Sequence, residues 1–162
     1  MTSETRLNTA VSADAINRML IERACERLSV QFGLFNDTGR FRELADLFTH
    51  DGRLVRPLAP DAPLQGREAI LNDFTEKLRG FTVRHVFTNI LINVEASDRA
   101  TGITYYTVYR QEGVANPGQA FDFEGVVYLG EYHDVFVHTT DGWRFQARDG
   151  RIVMRLQPTR AH

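Results

Sequence analysis

The side chain best suited to chemistry in this chain is the imidazole of His85, which lies among residues typical of a protein core. The surrounding segment alternates as a β-strand does, and one face is expected to carry Val83, His85, Phe87, Asn89 and Leu91. The other face is also largely apolar, so we expect both faces to be covered. A covered imidazole needs a hydrogen-bond partner or a ligand. His85 is therefore either a structural core histidine or a base beside a pocket.

Length and charge limit the classes of protein that this chain can be. It has 162 residues, which suits one domain, and a formal net charge of −2 without a basic cluster. That charge argues against nucleic acid or an anionic membrane as a partner. The single Cys25 excludes an internal disulfide and a cysteine-rich metal site. The polar segment 1–11 lacks the apolar stretch of a secretion signal, so a cytoplasmic protein is expected.

The first half of the chain has helical periodicity. Apolar residues recur every three or four positions from Ile16 to Phe35, which predicts one long helix with Ser12 as its N-cap. The turn-forming residues 36–39 end that helix. The elements expected next are a short helix over 41–48, a brief strand over 51–56, a proline-rich loop over 57–65, and a third helix between Gly66 and Gly80.

The second half changes to a period of two. Four long strands are predicted over 82–95, 99–111, 125–139 and 143–155, with hairpin turns at 97–98 and 141–142. Helices followed by an antiparallel meander indicate an α+β domain with the helices on one face of the sheet. A long twisted sheet tends to curl around its helices, and the space between the two layers is a natural pocket.

Three local patterns resemble the SnoaL-like branch of the nuclear transport factor 2-like, or cystatin-like, superfamily. The first pattern is residues 32–41 followed by 44–52, the second is 65–70 at the start of the third helix, and the third is 84–89. Residues 141–145, near the end of the chain, also fit. The resemblance implies a cone-shaped, curved antiparallel sheet with three N-terminal helices packed on its concave face. It covers an expected domain over 12–156, between an N-terminal arm (1–11) and a C-terminal tail (157–162). The superfamily includes many enzymes and also binding proteins, so fold alone does not set the activity.

The resemblance to scytalone dehydratase-like and hexachlorocyclohexane dehydrochlorinase-like enzymes implies roles for Asp37 and His85. In those enzymes an aspartate at the end of the first helix orients a histidine on the first long strand, and the histidine removes a proton from the substrate. A carboxylate that accepts the second ring N–H fixes the tautomer and stabilises the imidazolium. From the residues alone, Asp37 can instead cap the second helix, and His85 can bond to a backbone carbonyl.

The same resemblance suggests His133 as a donor to a developing oxyanion. This interpretation requires Glu131, His133 and Val135 to face the pocket while Tyr132 and Asp134 face outward. A surface or dimer-interface histidine is the alternative.

Three positions depart from the relatives. Thr104 occupies the position of a second catalytic histidine in the dehydratases. Phe32 occupies the position of a tyrosine in the isomerases. Arg56 occupies the position of the general base in the ketosteroid isomerases. Isomerase chemistry of that last type is therefore not expected. Arg56 either pairs with an anionic substrate group or is solvated. Tyr106 either donates to a ligand carbonyl or packs with its hydroxyl at the rim. The candidate pocket walls are Phe32, Phe35, Phe87 and Tyr106.

Together these features favour a small-molecule lyase, acting by dehydration or elimination, or an isomerase, with His85 as general base and Asp37 as its orienter in an apolar pocket. The alternative is a non-catalytic small-molecule-binding protein, or an accessory subunit resembling the β subunit of ring-hydroxylating dioxygenases. No cofactor or metal is expected, because the histidines lack ligand spacing and no phosphate-binding glycine loop occurs. The expected partners are a small apolar or cyclic metabolite and a second copy of the chain, bound through the outer face of the sheet.

Overall fold

The computed structural model describes residues 12–77, 80–114, 116, 118–120 and 122–157. The predicted N-terminal arm lies outside the described residues, as does the predicted tail beyond Gln157. The helices are α1 (Ala13–Asp37), α2 (Phe41–Ala45) and α3 (Arg67–Lys77). The strands are β1 (Phe48–Arg56), β2 (Ala59–Gln65), β3 (Phe81–Ala96), β4 (Arg99–Glu112), β5 (Val126–Thr139) and β6 (Gly142–Leu156).

The six strands form one curved, unclosed sheet in the order β2-β1-β6-β5-β4-β3, which confirms the α+β class. Four of the five strand pairings are antiparallel, and the three among β3, β4, β5 and β6 form the predicted meander. The exception is β1, which runs parallel to β6. A parallel neighbour requires a long connection, and here that connection is the remainder of the chain from β2 to β5.

Most element bounds agree with the sequence predictions. Each of the four long strands begins and ends within one residue of its predicted range. Ser12 caps α1, since its side-chain oxygen accepts a hydrogen bond from the Ala15 amide at 3.1 Å. The prediction of a loop over 57–65 is wrong, because β2 occupies most of it. Pro60 and Pro63 are tolerated there because β2 is the edge strand, where an unpaired backbone position faces solvent.

A β-bulge at Asn89 lies about halfway along β3. It exchanges the faces of the sheet to which alternate side chains of β3 point. Thr88 pairs with Tyr105 and Leu91 with Ile103, so β3 carries one extra residue between these pairs. Asn89 accommodates it with a φ of +48°. The expectation that Leu91 shares a face with His85 is therefore wrong, and the Leu91 side chain is 69% exposed on the outer face.

A second bulge lies in β6 at Gln146. Val135 pairs with Ala147 and Phe136 with Phe145, so Gln146 is the extra residue. Simple alternation places Arg148 on the face opposite Phe145. Because of the bulge, both side chains are buried on the inner face.

The core lies between α1 and the inner face of the sheet and is rich in phenylalanine. Phe32 of α1 makes edge-type contacts with rings of α3, β1, β5 and β6, which lock the helix over the sheet. Within the described residues, no helix is both long and apolar enough to cross a membrane.

Candidate active site

The carboxylate of Asp37 binds His85 through both of its oxygens. Oδ2 accepts a hydrogen bond from the His85 backbone amide at 2.9 Å, and Oδ1 lies 2.5 Å from ring Nδ1. The two side chains are only 10% and 6% exposed. Because a carboxylate can only accept, Nδ1 carries a proton, and in the neutral ring Nε2 therefore keeps its lone pair. This is the tautomer that a general base acting through Nε2 requires.

Asp37 is the last residue of α1, where an acidic side chain is disfavoured by the helix dipole. The two hydrogen bonds from His85 offset that cost. Gly33, one turn earlier, allows the helix to approach β3 closely. A Cβ at Gly33 would lie 2.6 Å from Phe87 Cε2 and 3.1 Å from His85 Cβ. The missing side chain therefore sets the separation at which Asp37 reaches His85.

Asn36 is the other partner of the His85 ring. Its side-chain nitrogen lies 3.4 Å from His85 Nε2, and both residues line a cavity. The Asn36 Oδ1 atom is buried and has no hydrogen-bond partner among the described residues. Asn36 was missed from the sequence, because within the helix-breaking residues 36–39 the family resemblance implies a role for Asp37 alone. Its position directly before Asp37 was the available signal.

The cavity beside His85 has a volume of about 280 Å³. Its wall is largely aliphatic and aromatic, and its charged or polar groups include Asn36, Arg56, Asp73, His85 and Arg110. Ligand pockets typically begin at about 300 Å³. The space therefore suits a small ligand, on the scale of one substituted ring.

Two of the four predicted wall residues line this cavity, namely Phe32 and Tyr106. Phe35 is not among the lining residues and instead packs beneath the Arg40 guanidinium, 4.4 Å from its ring centroid. Phe87 also lies off the cavity wall, beside His85, with the ring centroids 5.9 Å apart.

The hydroxyl groups of Tyr106 and Thr104 are already bonded within the protein. Tyr106 donates to the Arg151 carbonyl at 3.0 Å, and burial raises the pKa of its phenol. Gly130 makes room for this arrangement, since a Cβ there would lie 2.3 Å from the Tyr106 hydroxyl. Thr104 is fully buried with its hydroxyl 3.4 Å from that of Ser29, and it does not line the cavity.

Arg56 lines the cavity but already has an anionic partner. Its Nη1 lies 2.9 Å from Asp73 Oδ2, and the two side chains are 19% and 9% exposed. Arg56 is therefore neither a solvated arginine nor an unpaired cation waiting for a substrate anion.

The prediction that His133 faces the pocket is wrong. Its side chain is 45% exposed, and Nε2 lies 2.8 Å from Glu131 Oε1. The hydrogen bond from His133, followed by that from Arg151, holds the pKa of Glu131 below its usual range. The inward residues are Tyr132 and Asp134, one step out of the predicted register. The aromatic residues Tyr128, Tyr132 and Phe136, at every fourth position of β5, were the sequence signal for the correct face.

A buried cation that sequence reasoning missed lies beneath the cavity wall. Arg148 is fully buried, with Nη1 3.4 Å from Asp134 Oδ2 and donating to Ser29 Oγ at 3.3 Å. Its guanidinium carbon lies 4.0 Å from the Tyr132 ring centroid and 4.6 Å from that of Phe32. Both rings also line the cavity. Arg148 thus adds positive charge behind the aromatic wall.

Burial dominates the titration of the acidic groups around Arg148. Desolvation raises the pKa of Asp134 to about 6, although the Arg148 charge opposes that change. It also raises the pKa of Tyr132 to about 12. Neither carboxylate oxygen of Asp134 has a hydrogen-bond partner among the described residues, which accounts for the large desolvation cost.

Over the part of the chain that the structure describes, no three His, Cys, Asp or Glu side chains cluster in a way that could hold a metal ion. The site chemistry available from these residues is therefore that of a histidine base, a carboxylate, an amide and two arginines around an apolar space.

Known proteins share this architecture. A search of curated proteins finds no significant match. A candidate scytalone dehydratase from Novosphingobium aromaticivorans superposes with a TM-score of 0.74 at 21% identity, covering 91% of this chain and 98% of that one. A type 2 hexachlorocyclohexane dehydrochlorinase, LinA, gives a TM-score of 0.74 at 16% identity, covering 91% and 95%. At these identities the likeness shows a shared fold.

A third solved structure carries the fold name itself. It is an NTF2-like protein with a cystatin-like fold from Novosphingobium aromaticivorans, with a TM-score of 0.65, 21% identity, and coverage of 88% of this chain and 91% of that one. At the level of sequence, the profile of the SnoaL-like domain matches residues 17–149, which is most of the chain. The chain therefore belongs to the SnoaL-like domain family.

Proposed function

We propose that this protein is a small-molecule lyase that eliminates HX from a small cyclic substrate, with His85 as general base and Asp37 as its orienting group. One observation carries the proposal: Asp37 binds both the backbone amide and Nδ1 of His85, and His85 lines an apolar cavity. That arrangement holds an unprotonated Nε2 beside a space of about 280 Å³.

In the proposed reaction, Nε2 of His85 removes a proton from a substrate carbon. The electron pair of the broken C–H bond forms the new carbon–carbon double bond. The leaving group departs from the adjacent carbon with the electrons of its own bond. Asp37 stabilises the imidazolium until the proton is released to solvent. The apolar wall limits competing attack by water on the substrate.

The surroundings favour a leaving group that departs as a stable anion. Hydroxide needs protonation as it leaves, but the Tyr106 and Thr104 hydroxyls are engaged inside the protein. A halide or a carboxylate needs no acid partner. We therefore place elimination of such an anion ahead of dehydration. The solved relatives include proteins named for each reaction, a dehydrochlorinase and a candidate dehydratase.

The test is a screen of purified protein with small halogenated and hydroxylated cyclic compounds, following alkene formation and halide release. We expect turnover by the wild type and a loss of about 10²–10⁴-fold in His85→Ala. His133→Ala is the matched control, since that histidine lies outside the cavity. Unchanged turnover in a folded His85→Ala variant contradicts the proposal. Ligand binding without turnover in the wild type instead favours a binding protein or an accessory subunit.

We also propose that the protein forms a homodimer through the outer face of the sheet. This face exposes apolar side chains from adjacent strands, including Val86, Leu91, Ile103, Tyr105 and Tyr109. An apolar surface of this kind is typical of an interaction site.

A further inference from the structure

Arg110 places an uncompensated cation on the cavity wall. Its guanidinium carbon lies 3.9 Å from the centroid of the Phe81 ring, a stacked arrangement that holds the group in place. Arg56 on the same wall is neutralised by Asp73. By contrast, among the residues that the structure describes, none forms a hydrogen bond or ion pair with Arg110, and its Nε is buried.

Two acidic residues share a second cavity with Arg110, and neither supplies its partner. Glu112 and Glu124 line an adjoining cavity of about 420 Å³ to which Arg110 also contributes. Neither carboxylate lies within ion-pair distance of the guanidinium in the described structure. A partly buried guanidinium without an anion has lost part of its hydration with no ion pair to offset the loss. An anionic ligand that reaches it gains charge-assisted hydrogen bonds without first breaking an existing pair.

The strand register sets the distance from Arg110 to His85. On the inner face, His85 pairs with Val108, and Val83 pairs with Arg110. Arg110 is thus the diagonal neighbour of His85 on the adjacent strand. Cβ atoms in this relationship are about 7 Å apart. Both side chains line the same cavity, so a ligand in that cavity can contact the arginine and the imidazole.

We propose, building on the lyase function proposed above, that the substrate is a small cyclic or aromatic carboxylic acid whose carboxylate is held by Arg110. The planar guanidinium can donate two parallel hydrogen bonds to a carboxylate, which fixes the orientation of the ring. The rest of the ligand then extends into the cavity that His85 also lines. A cavity of about 280 Å³ admits one ring with short substituents. Arg110 is thus the residue that selects acids over neutral rings of the same shape.

Calorimetric titration tests this selection without requiring turnover. The probes are benzoate and cyclohexanecarboxylate, each compared with its neutral carboxamide, at near-neutral pH and low salt. We expect the wild type to bind the acids at least about tenfold more tightly than the amides, equivalent to about 1.4 kcal/mol. Arg110→Gln removes the preference and Arg110→Lys retains part of it. Arg155→Gln is the matched control, because Arg155 also stacks on a ring, that of Tyr128, but does not line the cavity.

Equal affinity for acids and amides overturns the proposal, as does a preference that survives in Arg110→Gln, or an absence of acid binding at millimolar concentration. The same titrations in His85→Ala separate this proposal from the lyase function. If acid selection is intact in His85→Ala but turnover also persists, the catalytic assignment fails and the Arg110 site stands. If turnover is lost in His85→Ala and the wild type does not select acids, the Arg110 site fails alone.

Discussion

Asp37 fixes both the backbone and the ring of His85 with one carboxylate, so the position of the strand and the tautomer of the imidazole are set by the same side chain. An amide in place of the carboxylate changes both. Its nitrogen can donate to Nδ1, which moves the ring proton to Nε2 and removes the lone pair that faces the cavity.

Replacing Asp37 by Asn should therefore lower turnover by about 10²–10⁴-fold, as expected for the loss of a general base. Nitrogen NMR of the His85 ring provides an independent check, since the proton should move from Nδ1 to Nε2. Asp141→Asn is the control, because Asp141 is an exposed turn residue and Asn-Gly suits the same turn. An Nδ1–H tautomer in a folded Asp37→Asn variant would disprove this account of the pair.

Substituting Gly33 by Ala should destabilise the protein by about 1–3 kcal/mol, through overpacking against Phe87 and His85. Helix propensity alone predicts the opposite sign, a gain of about 1 kcal/mol. Urea unfolding measures which effect prevails. Asn17→Ala, at an exposed position of the same helix, should gain a few tenths of a kcal/mol. A more stable Gly33→Ala variant would show that α1 can move away from β3 at little cost.

The pKa of Asp134 has a consequence for stability against pH. Burial raises this pKa from 3.8 to about 6, so between these values the folded protein retains a proton that the unfolded chain has lost. The stabilisation by that proton is complete below pH 3.8 and is lost as the pH rises through about 6. The difference of about two pH units corresponds to on the order of 3 kcal/mol.

Asp134→Asn should remove this contribution. Relative to the wild type, the variant should gain stability as the pH is raised from about 4 to about 7, whatever its absolute stability. Denaturant unfolding at several pH values, carried out on both proteins, measures the difference. A difference that stays constant over this range means that Asp134 does not titrate there in the folded protein.

The proposed dimer can be broken without touching the cavity. Leu91→Asp places a charge on the exposed apolar face and should give a monomer in analytical ultracentrifugation. Leu20→Asp, at an exposed leucine of α1, should leave the oligomeric state unchanged. A monomeric wild type, or a Leu91→Asp variant that remains dimeric, would exclude the outer face as the interface.

The sequence is sufficient to predict what depends on local periodicity. The long helix after Ser12 and the four long strands follow from spacing alone, and the family resemblance brings Asp37 and His85 together. It is insufficient where a strand contains an extra residue. The bulge at Gln146 turns Arg148 inward, and no local pattern marks it because a bulge is defined by the partner strand. His133 is misplaced for a simpler reason, because its predicted face of β5 is one residue out of step with the buried aromatic residues Tyr128, Tyr132 and Phe136.

The bulge at Asn89 divides β3 into two halves. Residues at odd-numbered positions face the interior in the first half and the exterior in the second half. His85, in the first half, points to the interior, and Leu91, in the second half, points to the exterior. Deleting the extra residue would leave the flanking pairs Thr88–Tyr105 and Leu91–Ile103 in place around a single residue, so the flanking side chains would keep their present faces. The proposed reaction chemistry and the proposed subunit contact therefore use opposite faces of one strand, and point substitutions can change either without the other.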